Sequence, residues 1–172
     1  MKLKLFLIFA CGVLLALACK HDGEREISMA VIVDDSDPAQ RGVFILSPGK
    51  GGVWTTMPSP LHRSEAPKRI VRRQIDEEAI KSAIAEVPTI AGDLKPPFKP
   101  GGEADYVTYL IDDQGRANQR WHDGSGKMKT VVKGLKDTIG RELSKERAVE
   151  FVERLNISNP EVKAVVGLIT EE

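Results

Sequence analysis

Residues 106–122 read YVTYLIDDQGRANQRWH. Tyr106 to Ile111 combines aromatic and β-branched side chains, which fit a pleated, half-buried surface, so a strand is predicted there. Asp112-Asp113-Gln114-Gly115 supplies a turn, and Arg116 to His122 returns as the second strand of a hairpin. The sheet of this chain is therefore expected to be antiparallel.

Upstream, the same alternation of apolar runs and turn clusters continues. Ile27 to Val33 predicts a strand, and Asp34-Asp35-Ser36-Asp37-Pro38 a turn. Gly42 to Leu46 and Val53 to Met57 predict two more strands, joined through Ser47-Pro48-Gly49-Lys50-Gly51-Gly52, so residues 27–57 form a meander. Pro58 to Arg73 reads as an irregular, basic segment in which His62, Arg63, Lys68, Arg69, Arg72 and Arg73 face a single Glu65. Asp76-Glu77-Glu78 opens a helix to about Glu86, with acidic residues suited to its N-terminal dipole. Ile75, Ala79, Ile80, Ala83 and Ile84 give that helix an apolar stripe, and Pro88 ends it.

Gly92 to Gly102, which contains Pro96-Pro97-Phe98-Lys99-Pro100, predicts a stiff connector. It divides the domain into possible halves, 27–91 and 103–172. Past the hairpin, Val131, Val132, Leu135, Ile139 and Leu143 predict a helix from Thr130 to Leu143, although Gly134 and Gly140 weaken it. Ser144 caps a further helix, Lys145 to Leu155. Asn156 to Pro160 breaks the chain, and Val162 to Ile169 is read as a last strand. The order βββα then ββααβ gives an α+β fold, an antiparallel sheet with two or three helices packed on one face. Val31-Ile32-Val33-Asp34-Asp35 echoes Tyr109-Leu110-Ile111-Asp112-Asp113, a pairing that common strand-then-Asp turns account for.

The N-terminus carries an address. Lys2 and Lys4 precede Leu5 to Ala18, an uncharged apolar run of 14 residues. That is short of the roughly 20 residues a spanning helix needs and suits the core of a signal peptide. Ala16-Leu17-Ala18 supplies small residues for cleavage, and Cys19 follows at once. Leu15-Ala16-Leu17-Ala18-Cys19 resembles the lipobox of bacterial lipoproteins, with Ala16 where the commonest form has Leu. The resemblance implies removal of residues 1–18, cleavage between Ala18 and Cys19, and acyl chains such as palmitate on Cys19. Two acyl chains suffice for stable anchoring, because each buried CH₂ contributes about 0.8 kcal/mol. Residues 19–26 would be a polar tether and 27–172 one α+β domain. Lys20 is not the Asp that retains such proteins at the inner membrane in the enterobacterial rule, so an outer-membrane destination facing periplasm or exterior is implied. An ordinary secretory signal cut at Ala18 and an uncleaved anchor helix remain the alternatives.

Composition bounds the rest. Cleavage leaves 154 residues, enough for one domain with a real core. Without Lys2 and Lys4, 23 basic residues face 25 acidic ones, which gives no reason to expect nucleic acid. Both cysteines, Cys11 and Cys19, lie in the signal, so the domain has neither an internal disulfide nor a thiolate metal site.

Motifs for chemistry are sparse. Asp34, Asp35 and Asp37, like Asp112 and Asp113, lack the alternating ligands and closing Glu of a calcium loop and read as turns. His122 beside Asp123 suggests a general base, but no activated nucleophile is legible, and a surface histidine at a strand end is the simpler reading. Ser47-Pro48-Gly49-Lys50 spells S-x-x-K without the companion motifs of penicillin-recognising enzymes. No catalytic residue, metal site or cofactor is assigned. Arg63, Lys68, Arg69, Arg72 and Arg73 are the candidate contact for an anionic polymer or lipid headgroup.

Residues 106–126, YVTYLIDDQGRANQRWHDGSG, are also similar to the hairpin of TonB C-terminal domains, where a strand, D-x-x-G-R, a return strand, Ser-Gly, a helix and a last strand follow in order. The chain lacks the Phe-x-Pro of that family. This similarity implies a partner domain of a transport or secretion system, engaging another envelope protein through a sheet edge. The sequence thus points to a lipid-anchored envelope protein acting as a binding or structural accessory module. A TonB-like partner domain, or a hydrolase using His122, is the alternative.

Overall fold

The computed structural model describes residues 28–35, 37–56, 70–92, 105–122, 124, 126–155 and 157–170. Seven strands form one antiparallel sheet in the order β6-β5-β1-β2-β3-β4-β7. β1 (Ser28–Asp34), β2 (Gly42–Ser47), β3 (Gly51–Thr56) and β4 (Arg72–Ile75) follow as a meander. α1 (Glu77–Glu86) comes next, then β5 (Asp105–Ile111), which returns to the open side of β1 and pairs along its whole length, from Ser28↔Ile111 to Asp34↔Asp105. β6 (Ala117–His122) lies outside β5. α2 (Lys127–Asp137) leads to β7 (Ile139–Glu142) at the opposite edge, and α3 (Lys145–Glu153) and α4 (Pro160–Thr170) complete the chain. The α+β class and the antiparallel sheet are as predicted. Residues on either side of the connector share this one sheet, while residues 93–104 lie outside the described set.

The expectation of helices on one face is corrected. Alternate residues of the strands feed two cores. Met29, Val31, Phe44, Leu46, Trp54 and Ile75 point to α1 and α2, where Ile80, Ala83, Met128 and Leu135 meet them. Ala30, Ile32, Val43, Ile45, Val53 and Val107 point the other way, to Ala148 and Phe151 of α3, Leu155, and Val162 and Val166 of α4. The physical sign was in the strands themselves. MAVIV and VFIL are continuous apolar runs, the pattern of strands covered on both sides rather than on one.

Several local readings hold. Asp76 accepts from Glu78 N at 2.9 Å and Ala79 N at 3.4 Å, capping α1. Ser144 Oγ accepts from Arg147 N and caps α3. Gly115 N donates to Asp112 O at 2.9 Å, and Gly115 has φ +74°, which closes the β5–β6 hairpin with a turn and a left-handed glycine.

Three readings fail. The predicted helix 130–143 stops at Asp137, and residues 139–142 form β7 against β4, because β-branched Thr138 and Ile139 next to Gly140 suit an edge strand better than a helix. The predicted strand 162–169 is α4. Asn159 Oδ1 accepts from Val162 N at 3.0 Å with Pro160 in the first turn, so the presumed breaker is a helix start. Arg72 and Arg73, read as the end of an irregular segment, and Ile75, read into the stripe of the next helix, instead belong to a strand held by backbone pairing to β3 and β7.

Candidate functional site

The second core covers β1, β2 and β5 with α3 and α4. Beyond it, toward β4 and β7, a cleft of about 330 Å³ opens between α3 and the sheet. Its sides are Lys50 to Val53 at the start of β3, Gln74 of β4, Arg141 and Leu143 around β7, and Arg147, Glu150, Phe151 and Arg154 of the α3 segment. Arg147, Glu150, Phe151 and Arg154 fall at i, i+3, i+4 and i+7, which is one helical face.

The approach to β3 is set by Ser47-Pro48-Gly49-Lys50. Lys50 N donates to Ser47 O at 3.1 Å, and Gly49 has φ +69° after Pro48, the combination of a type II turn. Gly49 N also donates to Glu77 Oε1 at 2.7 Å, which ties the turn to the start of α1. Ser47 is buried and receives the Ser28 hydroxyl at 2.9 Å, so S-x-x-K is here a turn, as the sequence implied. Gly51, with φ +107°, leaves open space above Phe151: a Cβ there would stand 4.0 Å from the ring.

Four cations and one carboxylate line this space. Arg141 Nε donates to Gln74 Oε1 at 3.1 Å, a neutral partner that leaves its charge uncompensated by that contact. Arg154 pairs with Glu150, both side chains being 61% exposed. An ion pair so hydrated is weak and exchanges readily for another anion. The cleft can hold a compact oxyanion at its cationic rim with an apolar portion against Phe151. Among the described residues that line it there is no serine, cysteine or histidine.

The sequence-predicted anion contacts are distributed differently. Ala18, Cys19, Arg63, Lys68 and Arg69 lie outside the described residues. Arg72 and Arg73 are neighbours on β4 and point to opposite faces, with Arg73 opposite Trp54 and Glu142. Neither lines the cleft; Gln74 does. Sequence reasoning missed Lys50, Arg141, Arg147 and Arg154. The i, i+7 spacing of Arg147 and Arg154 around Phe151 was the one readable signal.

His122 is not the surface histidine expected at a strand end. It is 7% exposed, and its Nε2 is hydrogen-bonded to Thr108 Oγ1 at 3.1 Å, with Thr108 fully buried. Residues 88–92 lie over this end of β6: Arg120 donates to Pro88 O at 2.9 Å, and a Cβ on Gly92 would stand 2.9 Å from His122 Cε1. The same segment lies against Trp121, so this end of the β6 edge is occupied.

Among the described residues no group of three or more His, Cys, Asp or Glu is placed to hold a metal, and no helix is long and apolar enough to cross a membrane. The chain matches no family model, no curated protein and no solved structure. The cleft is therefore read from its chemistry alone.

Proposed function

We propose that this protein is a lipid-anchored bacterial envelope protein working as a binding module, and that its cleft takes an anionic group of a partner molecule. One observation carries the binding part: Lys50, Arg141, Arg147 and Arg154 line the cleft around Phe151, with Glu150 the carboxylate among the described lining residues. The cations come from three separate parts of the chain, so their convergence is a product of the fold and not of local composition. The lipobox resemblance supports the anchoring part.

The binding test uses the purified full-length lipidated protein in detergent micelles, titrated with inorganic pyrophosphate while the arginine side-chain NMR signals are followed. Shifts at Arg141, Arg147 and Arg154, without shifts at Arg41 and Arg120, are expected. Uniform or absent shifts would reject the cleft as an anion site.

A further inference from the structure

We propose that the cleft docks onto the phosphate-bearing headgroups of the same bilayer that holds the anchor, which fixes the orientation of the domain on its membrane. This rests on the lipid-anchor reading above and adds to it an occupant for the cleft.

The first argument is the point at which the tether joins the sheet. Ser28 opens β1 opposite Ser47, and its hydroxyl reaches Ser47 Oγ at 2.9 Å. Ser47 in turn pairs with Gly51, the first residue of β3 and part of the cleft wall. Ser28 and Gly51 are thus two strand spacings apart, about 10 Å. Nine residues, Cys19 to Ile27, separate the anchor from Ser28. Fully extended they span at most about 30 Å. The tether therefore joins the sheet at the end that carries the cleft rim.

The second argument is charge on that end. The segment after α3 also comes to it, since Ser158 N donates to Gly115 O at 3.1 Å in the β5–β6 turn, and this brings Arg154 toward Lys50. Carboxylates near this end include Asp112, paired with Arg116, together with Asp113, Glu77 on the α1 face, and Glu150 and Glu153 on α3 itself. The basic excess lies at the cleft, which Lys50, Arg141, Arg147 and Arg154 line together with Glu150, so the domain would tilt that rim toward an anionic surface. Surface attraction falls off within a Debye length, about 8–10 Å at physiological salt, and each cation inside that layer favours the docked state about fivefold.

The test reconstitutes the full-length lipidated protein in vesicles of phosphatidylcholine alone, or of phosphatidylcholine with 30% phosphatidylglycerol, and reads amide exchange at 50–53 and 147–154. Protection at least fivefold greater in the anionic vesicles is expected, lost in 0.5 M salt and lost in R141Q/R147Q/R154Q, while K127Q/K133Q on α2 retains it. Equal exchange in both vesicles overturns the docking. So does protection in neutral vesicles by free glycerol phosphate that matches the anionic bilayer, since the occupant is then a soluble anion. Mass spectrometry of the same sample separates the two readings: a missing acyl mass defeats the anchor, whereas an acylated protein without protection defeats only the docking.

Discussion

The indole of Trp54 lies across Gly42, so that a Cβ built on Gly42 would stand 2.5 Å from Trp54 Cη2 and 2.3 Å from Thr55 O. Phe44, directly opposite Trp54, packs on it with ring centroids 4.3 Å apart and planes tilted by 39°, and Lys136 Nζ sits 5.7 Å from the ring centroid. The indole is buried against Phe44, and the Thr55 carbonyl belongs to the sheet backbone. Gly42→Ala should therefore destabilise the domain by about 3 kcal/mol or more, the upper range for overpacking. Urea unfolding followed by tryptophan fluorescence measures it. A change below about 1 kcal/mol would mean the β2–β3 packing is looser than described.

Thr108 and His122 form a polar contact sealed inside the β5–β6 pair. His122→Ala opens a void and strips the buried Thr108 hydroxyl of this partner, so a loss of about 2–4 kcal/mol is expected. Thr108→Val in the same background should recover part of it, because the stranded hydroxyl is then gone. Pyrophosphate binding at the cleft should persist in whichever of these variants folds. A His122→Ala protein as stable as the parent would contradict the buried placement.

These two sites show what the sequence disclosed and what it withheld. The hairpin from Tyr106 to His122 was legible because both strand patterns and the Asp112–Gly115 turn are local signals. So were the Ser144 cap and the acidic opening of α1 at Asp76-Glu77-Glu78, both local signals at a helix start. β4 was not legible: Arg72-Arg73-Gln74-Ile75 has no strand pattern of its own and is a strand because β3 and β7 pair with its backbone. α4 was misread because β-branched Val162, Val165, Val166 and Ile169 weigh toward strand by propensity, although their spacing is helical and Asn159-Pro160 marks a helix start. The cleft depends on β7 crossing to the edge beside β4, a non-local event that no stretch of Arg141 to Arg154 encodes. The His122 environment likewise needed Gly92, thirty positions away.

Asp112 gives a pH signature. Its carboxyl is held below the ordinary value near 3.8, first by the backbone N–H of Arg116 at 2.9 Å, and also by the Arg116 guanidinium and the Gln114 N–H at 3.0 Å. A depressed carboxylate stabilises the fold at pH values above its unfolded pKa, and that contribution is lost as pH falls through the lower folded value. The wild type should exceed Asp112→Asn in stability at neutral pH, with the gap closing only below about pH 4. Paired urea titrations at pH 7, 4.5 and 3 measure the gap. A gap constant down to pH 3 would remove the charge of Asp112 as its cause.

The cleft cations predict a contrast between binding and stability. Arg147→Gln and Arg154→Gln each remove a charge from an exposed helix face, where stability effects stay within about 0.5 kcal/mol. Each should weaken pyrophosphate binding about tenfold or more, because hydrogen bonds to charged groups contribute roughly 1.5–3 kcal/mol. Arginine stays protonated at all working pH values, so at a fixed pH binding should be steep in salt. Calorimetry at two salt concentrations reads this. Binding that survives 0.5 M salt unchanged would place the energy in Phe151 and the apolar wall instead.

Cys19 decides whether the domain is held at a surface at all. The residue follows Ala16-Leu17-Ala18, and a bare secretory cut would leave the same N-terminus without lipid. A fatty-acid analogue fed to cells should label the wild type and not Cys19→Ala, and the variant should accumulate as the longer precursor or leave the membrane fraction. Anchoring by two acyl chains is effectively permanent, whereas one chain or a basic face alone gives reversible binding. Salt washing therefore distinguishes the contributions: 1 M salt should leave the wild type on membranes even though it undocks the cleft. A cleaved wild type that carries no label and washes free would make the chain a soluble exported protein, and the orientation argued from Ser28 and Gly51 would then have no membrane to act on.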